Sequence, residues 1–380
     1  MKIKLYNKID KLGLDHLAGY EIGEDLNNED GIMVRSANLF EVEFPKELKA
    51  IARAGAGVNN IPIEECSKQG IAVFNTPGAN ANAVKELTLC ALFLSSRGVI
   101  KGNAWAKTVE ENYSKAIEKG KSQFVGPEIY GKKLGVIGLG AIGANVANAA
   151  LALGMDVYGY DPYISVKAAW SLNRAVKYVA NLNELFKEVD YITVHVPSLD
   201  STRGFINKNT IATMKDNVRI LNFARGDLIN EKDMIEALNT GKVAAYVTDF
   251  GSVELNKCEN AIVLPHLGAS TPESEENCAV MAAKELREYL ETGNITNSVN
   301  LPSISEPWTS KHRICIIHKN VPNMLAQFAT LIGQKSINIE NMYNKAKDEY
   351  AYTVIDTNDH VEVSDFEKID NVVRVRLINR

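Results

Sequence analysis

In the run Lys133-Leu-Gly-Val-Ile-Gly138-Leu-Gly140-Ala141-Ile142-Gly143, an apolar stretch meets three glycines spaced G-x-G-x-x-G. Residues 134–137 predict a short buried strand. Residues 145–153 continue with small and apolar side chains at helical spacing, and residues 156–160 predict a second strand that ends in Asp161. Strand, glycine turn, helix and second strand together form the unit that binds dinucleotides. Gly138 allows the tight turn, Gly140 lets the backbone approach a pyrophosphate, and Gly143 lets helix and strand pack closely. The helix N-terminus supplies N–H groups for the phosphate charge.

Asp161 lies eighteen residues after Gly143. An acidic side chain there accepts hydrogen bonds from the adenosine ribose hydroxyls. It also repels the extra phosphate of NADP, and the neighbours Pro162 and Tyr163 offer no arginine to receive one. NAD is the expected cofactor.

A chain of 380 residues with 46% hydrophobic content can bury more than one core. The net charge of −5, with no polybasic run, argues against nucleic acid as a partner. No stretch has the length of an uncharged membrane span, and the start has no apolar run of signal-peptide type. The five cysteines form no C-x-x-C pair, and no His/Cys cluster has zinc-site spacing. Free thiols in a reducing cytoplasm are the expectation, with no metal.

Before Lys101, strands are predicted at 31–35, 48–54 and 70–74, with a helix at 61–69 between the last two: a small α/β domain. A largely apolar helix at 83–96 leads away from it. After Asp161, strands are predicted at 191–195, 218–222, 244–249 and 262–265. Helical segments such as 231–239 separate several of them. That alternation argues a doubly wound parallel sheet. A long helix at 271–290 opens with Ser/Thr-Pro-Glu start signals. Residues 294–307, rich in Asn, Ser and Pro, read as a linker. From Lys311 the pattern is strand, helix, strand and two further strands.

Three positions near predicted strand ends carry the groups that hydride transfer requires. Arg225, just after a strand, can hold a carboxylate through paired hydrogen bonds and polarise an adjacent carbonyl. His266, after another strand end, can take a proton from an alcohol as hydride leaves. Glu254 lies between them in sequence, and a buried carboxylate bonded to the imidazole would orient it and favour its charged form. His195 ends a strand before Pro197 and is expected to line the cofactor cleft rather than move protons.

The ordered set G-x-G-x-x-G, Asp161, His195-Val-Pro197, Asn-Phe-Ala-Arg225-Gly, Asp249-Phe-Gly-Ser-Val-Glu254 and Pro-His266-Leu-Gly-Ala-Ser-Thr271 resembles the D-2-hydroxyacid dehydrogenase family. The resemblance covers nearly the whole chain. It implies an α/β architecture in which a Rossmann-type domain, 99–274, is inserted in a smaller α/β substrate domain, 1–98 with 275–305. Substrate would sit in the cleft between them. It implies Arg225, Glu254 and His266 as the catalytic set. For NAD it implies contacts from the glycine loop (Gly138, Gly140, Ala141, Ile142, Gly143) and Asp161. Further contacts would come from His195, Val196 and Pro197, from Phe223, Ala224 and Arg225, and from Asp249, His266, Gly268 and Ala269. Asp249 would meet the nicotinamide carboxamide. Glu254 is followed by Leu255 where the family commonly has proline, which affects local loop shape.

The loops Ala52-Arg53-Ala-Gly-Ala-Gly-Val-Asn-Asn60 and Asn75-Thr-Pro-Gly-Ala-Asn-Ala-Asn82 look like those of the subgroup that oxidises phosphorylated 2-hydroxy acids of the 3-phosphoglycerate type, at the start of serine synthesis. Arg53, Arg35 and Lys85 are candidate cations for the phosphate. Residues 311–380 resemble an ACT regulatory module with a β-α-β start. There, matches at His318, Asn320 and Asn338 imply a serine effector bound across a dimer. Asn323 stands where glycine is usual, and asparagine tolerates the positive φ. A homodimer or homotetramer is implied. The alternatives are a dehydrogenase for glycerate or lactate, and an NAD(H)-sensing scaffold of the kind the C-terminal-binding corepressors represent.

Overall fold

The computed structural model describes residues 1–380. The chain forms two compact units: Met1–Asn80 with Pro272–Arg380, and Ala81–Thr271. No helix is long and apolar enough to cross a membrane.

The first unit opens with β1 (Lys2–Tyr6), β2 (Glu21–Gly23), β3 (Gly31–Val34), β4 (Ala50–Arg53) and β5 (Ala72–Phe74), all parallel in the order β2-β1-β3-β4-β5. Both faces are covered, so β3 and β5 are apolar throughout. Side chains alternate between faces. Met33, Ala50, Ala52 and Phe74 meet Cys278, Ala282 and Leu286 of the helix Pro272–Thr292, while Ile32, Val34, Ile51 and Val73 pack with Leu39, Leu48 and Ile61. The alanines facing the helix let it lie close to the sheet.

The expected linker at 294–307 is instead part of this core. Ile295, Leu301 and Ile304 are buried, and Ser298 bridges Phe74. Val299 N–H donates to Val73 O at 2.8 Å. Asn300 accepts from Val73 N–H at 2.9 Å and donates to Ile71 O at 2.9 Å. These groups satisfy the open edge of β5, so asparagines that suggest a loop serve here as substitutes for a neighbouring strand.

The second unit contains β6 (Lys133–Ile137), β7 (Asp156–Tyr160), β8 (Lys177–Tyr178), β9 (Tyr191–Val194), β10 (Val218–Asn222), β11 (Val243–Thr248) and β12 (Ala261–Val263). They form one parallel sheet in the order β12-β11-β10-β9-β6-β7-β8. The order reverses at β6, and ligands of such sheets bind beyond the carboxyl ends of the strands at that switch. The helix Ala81–Ser96 belongs to this unit. Val84, Ala91 and Leu92 pack with Leu134, Val136 and Leu221, and the Ser96 hydroxyl bonds Tyr191 at 2.8 Å. The division between units therefore falls before this helix rather than after it.

The first unit, which the chain re-enters at Pro272, also contains β13 (His312–Lys319), β14 (Asn341–Lys347), β15 (Tyr350–Thr357) and β16 (Val372–Asn379), an antiparallel sheet in the order β14-β15-β13-β16. The helices Met324–Gln334 and Val363–Glu367 cover one face. The second of these, five residues long, is too short to show a periodic signal and is absent from the sequence reading. On the other face, Cys315, Ile317, Tyr352 and Val354 join the cluster around the helix Pro272–Thr292. That helix ends in the sheet's side chains: Arg376 donates to Leu290 O at 2.9 Å and Tyr352 to Gly293 O at 2.6 Å. Carbonyls left open at a helix C-terminus are thereby satisfied.

Candidate active site

The glycine loop leaves β6 with Gly138 at φ +89, and its N–H donates to Tyr160 O at 2.9 Å. A Cβ on Gly138 would lie 2.5 Å from His195 O, and one on Gly143 would lie 1.8 Å from Gly138 O. Neither position accepts a side chain. Gly140 has nothing within 4 Å of where its Cβ would stand, so its backbone is open to a ligand. The helix Ala141–Ala152 starts there with no side chain capping its first N–H groups, as a phosphate-binding turn requires.

Asp161 does more than its spacing suggested. Its Oδ2 accepts from Leu139 N–H and its Oδ1 from Tyr163 N–H, both at 2.8 Å, so it also pins the glycine loop. Asp161→Ala is expected to weaken NAD by about 10- to 100-fold, the worth of charged hydrogen bonds, and to narrow the preference over NADP. Asp161→Asn, which keeps a carbonyl acceptor for the loop, should lose less NAD affinity while relieving the repulsion of NADP. Initial rates with both nucleotides check this, and equal use of the two by the wild type would remove the assignment.

Beyond β9, His195 Nε2 bonds the Thr193 hydroxyl at 2.9 Å, and burial pushes its imidazole down to about 3. Held neutral near pH 7, it is unsuited to carrying protons. Beyond β10, the fully buried Asn222 folds the turn that presents Arg225. Its Nδ2 donates to Arg225 O at 2.9 Å and its Oδ1 accepts from Ala224 N–H at 3.1 Å. Phe223 is buried beneath it. The exposed Arg225 guanidinium donates to Ala224 O at 2.6 Å and meets no carboxylate.

Beyond β11, Asp249 is 5% exposed. Its Oδ2 accepts from Gly268 N–H at 2.9 Å, while Oδ1 is buried with no partner. Burial pushes this carboxyl above its ordinary range, against the pull of that N–H. An orphaned acceptor costs about 1–3 kcal/mol, and a carboxamide donor would satisfy it. Beyond β12, His266 is exposed, its carbonyl accepts from the Ser270 hydroxyl at 3.2 Å, and its ring lies 4.8 Å from that of Phe250.

Glu254 departs from expectation. It lies on the short helix Val253–Asn256, exposed, and makes no hydrogen bond to His266. Ser252 caps that helix through Leu255 N–H at 3.1 Å, and Leu255, in the place where the family commonly has proline, takes the buried position. With Leu255 turned inward, its neighbour Glu254 faces solvent. Asn222, Thr248 and Phe250, which shape these turns, were not singled out from the sequence. A buried asparagine at a strand end is the one signal that could have found the first.

In the first unit Arg53 Nε donates to Arg35 O at 3.0 Å, so the two arginines are neighbours. Arg35 is not a free cation: its guanidinium pairs with Glu275 at 2.5 Å. Lys85 lies in the second unit, where its ammonium donates to Asn82 Oδ1 at 2.6 Å. In the C-terminal sheet, His318 is buried with both ring nitrogens engaged, by Lys319 O at 2.8 Å and the Thr353 hydroxyl at 2.9 Å. Burial pushes that imidazole down. Asn320 donates to Asp348 O and Asn338 to Glu340, both exposed. Both ring nitrogens of His318 are thus spent within the sheet, whereas the two asparagines stand at its surface. Asn323 does adopt positive φ, +71, at the start of the helix Met324–Gln334.

The open glycine cradle, Asp161 and the unpaired Asp249 oxygen fit NAD. Residues 89–268 match the family model described as D-isomer specific 2-hydroxyacid dehydrogenase, NAD binding domain. The chain is 36% identical over 334 residues to the D-3-phosphoglycerate dehydrogenase of Methanocaldococcus jannaschii, which covers 85% of this chain and 61% of that protein. It thus spans about three-fifths of that relative's length. It is 30% identical to the D-3-phosphoglycerate dehydrogenase of Haemophilus influenzae, with 100% of this chain and 97% of the relative covered. Among solved structures, NAD+-bound 3-phosphoglycerate dehydrogenase of Entamoeba histolytica superposes with a TM-score of 0.62 at 27% identity, over 79% of this chain and 98% of that one. The glycine cradle, the strand-end loops and these likenesses agree: the chain belongs to the D-isomer specific 2-hydroxyacid dehydrogenase family and carries its NAD-binding domain.

Proposed function

We propose that this chain oxidises D-3-phosphoglycerate to 3-phosphohydroxypyruvate with NAD, the first step of serine synthesis, as a cytoplasmic homo-oligomer. The observation that carries the reading is the row of groups beyond the adjacent strands β10, β11 and β12. It comprises an Arg225 guanidinium with no carboxylate partner, an Asp249 oxygen with no donor, and the exposed imidazole of His266.

Arg225 holds the substrate carboxylate through paired hydrogen bonds and polarises the oxygen at C2. His266 takes the proton of the C2 hydroxyl as that carbon becomes a carbonyl, and returns it in the reverse direction. When bound, NAD would supply the hydride acceptor for C2. Asp249 would hold the nicotinamide by accepting from its carboxamide. The glycine loop and Asp161 hold the pyrophosphate and ribose. Glu254 can serve the imidazole only after its turn rearranges. The five-stranded part of the first unit takes the substrate phosphate through Arg53 and through Arg35, once Glu275 is displaced.

The relatives named D-3-phosphoglycerate dehydrogenase support the phosphorylated substrate. Initial rates test it: kcat/KM for 3-phosphoglycerate should exceed that for glycerate by about 100-fold or more, since a site built for a charged group discriminates against its absence. Comparable efficiency would leave a dehydrogenase for an unphosphorylated 2-hydroxy acid. Tight NADH binding without turnover would leave a sensing scaffold. Residues 311–380 are proposed as an ACT-like module that binds serine across a dimer. The βαββαβ order supports the module, and Asn320 and Asn338 are the exposed groups serine would meet. Serine added to the same assay at millimolar concentration should inhibit, and an unchanged rate would reduce the module to packing.

A further inference from the structure

We propose that Phe250 is a positioning residue that holds the imidazole of His266 and ties it to the turn that presents Arg225. The inference rests on the dehydrogenase reading for its kinetic consequence, but its geometry stands apart from it.

Phe250 follows β11 and is partly buried. Its ring centroid lies 4.8 Å from that of His266, at an interplanar angle of 56°. Centroids at that separation and tilt are in the range of favourable aromatic contact. The residue also lies close to Gly226, directly after Arg225. A Cβ built on Gly226 would stand 3.1 Å from Phe250 Cβ and 3.6 Å from its Cγ. One side chain thus touches the imidazole and the turn that carries the guanidinium.

The backbone beneath the ring is fixed by a relay. Phe250 N–H donates to the Thr248 hydroxyl at 3.1 Å, and that hydroxyl donates to Asn222 O at 2.9 Å. Thr248 and Asn222 are fully buried. Asn222 in turn closes the Arg225 turn through Arg225 O. After Phe250 the chain is pressed onto β12, where a Cβ on Gly251 would lie 2.1 Å from Val263 Cγ1. Phe250 therefore has a defined backbone and two defined neighbours. Glu254, the side chain expected to orient the imidazole, is exposed and does not reach it. The orienting contact seen in the structure is aromatic packing.

The test uses the full chain with three variants: Phe250→Leu, Phe250→Tyr and Thr248→Val. Rates of 3-phosphoglycerate oxidation, NADH affinity by fluorescence, and the histidine ring-proton NMR signals are measured. The His266 signal is assigned by its loss in His266→Gln. Phe250→Leu should lower kcat by about tenfold to a hundredfold, the cost of a reacting group misplaced by about 1 Å, with NADH affinity nearly unchanged. The same variant should move the His266 signal, because the ring current of the facing phenyl is gone. Phe250→Tyr, which keeps the ring face, should restore both readouts. Should Phe250→Leu fail to fold, Thr248→Val removes the relay hydroxyl at nearly constant volume and should move both in the same direction. A wild-type kcat in Phe250→Leu, or an unmoved His266 signal, overturns the proposal. A wild type without turnover, combined with a moved signal, sinks the dehydrogenase reading and leaves the contact standing.

Discussion

His266→Ala is expected to lower turnover by about 10²- to 10⁴-fold, the range for loss of a positioned acid–base group, while NADH affinity hardly changes. The separation follows from the sheet. His266 lies beyond β12 and the glycine loop beyond β6, with β11, β10 and β9 between them. The imidazole is exposed and packs on Phe250, so its removal leaves no buried polar group unpaired. His266→Gln keeps volume and polarity but cannot titrate, and should lose about as much as alanine. Within the nucleotide unit the other imidazole is His195, and burial keeps that ring neutral near pH 7. That buried ring, bonded to the Thr193 hydroxyl, cannot stand in for His266. Single-turnover rates with NADH binding measured alongside would check this. Turnover within a few-fold of wild type would remove His266 from the chemistry.

The backbone around this site was legible because glycine leaves a strong mark. Gly138 and Gly143 stand where any side chain would strike a carbonyl, and the strands that hold the loop read as short apolar runs. The strand-end positions of Arg225, Asp249 and His266 followed from the same alternation of strands and helices. Side-chain direction was not legible. Glu254 has the right chemistry and spacing, yet Ser252 and Leu255 decide which way its turn faces, and that choice depends on a buried pocket formed by distant residues. Arg35 reads as a free cation until Glu275, 240 positions away in sequence, is placed beside it. His318 reads in the sequence as part of an effector site, but its ring nitrogens are spent on Lys319 O and on Thr353 of the paired strand β15. Composition likewise misjudged 294–307, where three buried apolar residues outweigh the polar ones around them.

The largest stability effect is expected at a position that no sequence motif marks. Arg313 and Asp356 are fully buried on the paired strands β13 and β15. Their hydrogen bonds are bidentate: Nε to Oδ1 at 2.7 Å and Nη2 to Oδ2 at 3.0 Å. The guanidinium also donates to Thr292 O at 3.2 Å, Asn294 Oδ1 at 3.0 Å and Pro307 O at 3.2 Å, and lies 5.4 Å from the Trp308 ring. It therefore fastens the end of the helix Pro272–Thr292 and the segment after it to the C-terminal sheet. Burial works against its charge, and the hydrogen bonds it donates to Asp356, together with that carboxylate's charge, outweigh burial and hold it protonated. Asp356→Ala strands this cation in a dry site and should cost about 3–5 kcal/mol. Replacing both partners, Arg313→Met with Asp356→Leu, removes the uncompensated charge and should recover much of that loss, although the backbone carbonyls that Arg313 served stay unpaired. Asp356→Asn, which keeps an acceptor without the charge, should fall between. Trp308 is the one tryptophan of the first unit, so its fluorescence in a Trp105→Phe, Trp170→Phe background follows this unit through denaturant unfolding. A loss below about 1 kcal/mol in Asp356→Ala would mean that the pair behaves like a solvent-screened surface bridge, and that apolar packing around Tyr289 and Tyr352 fastens the helix instead.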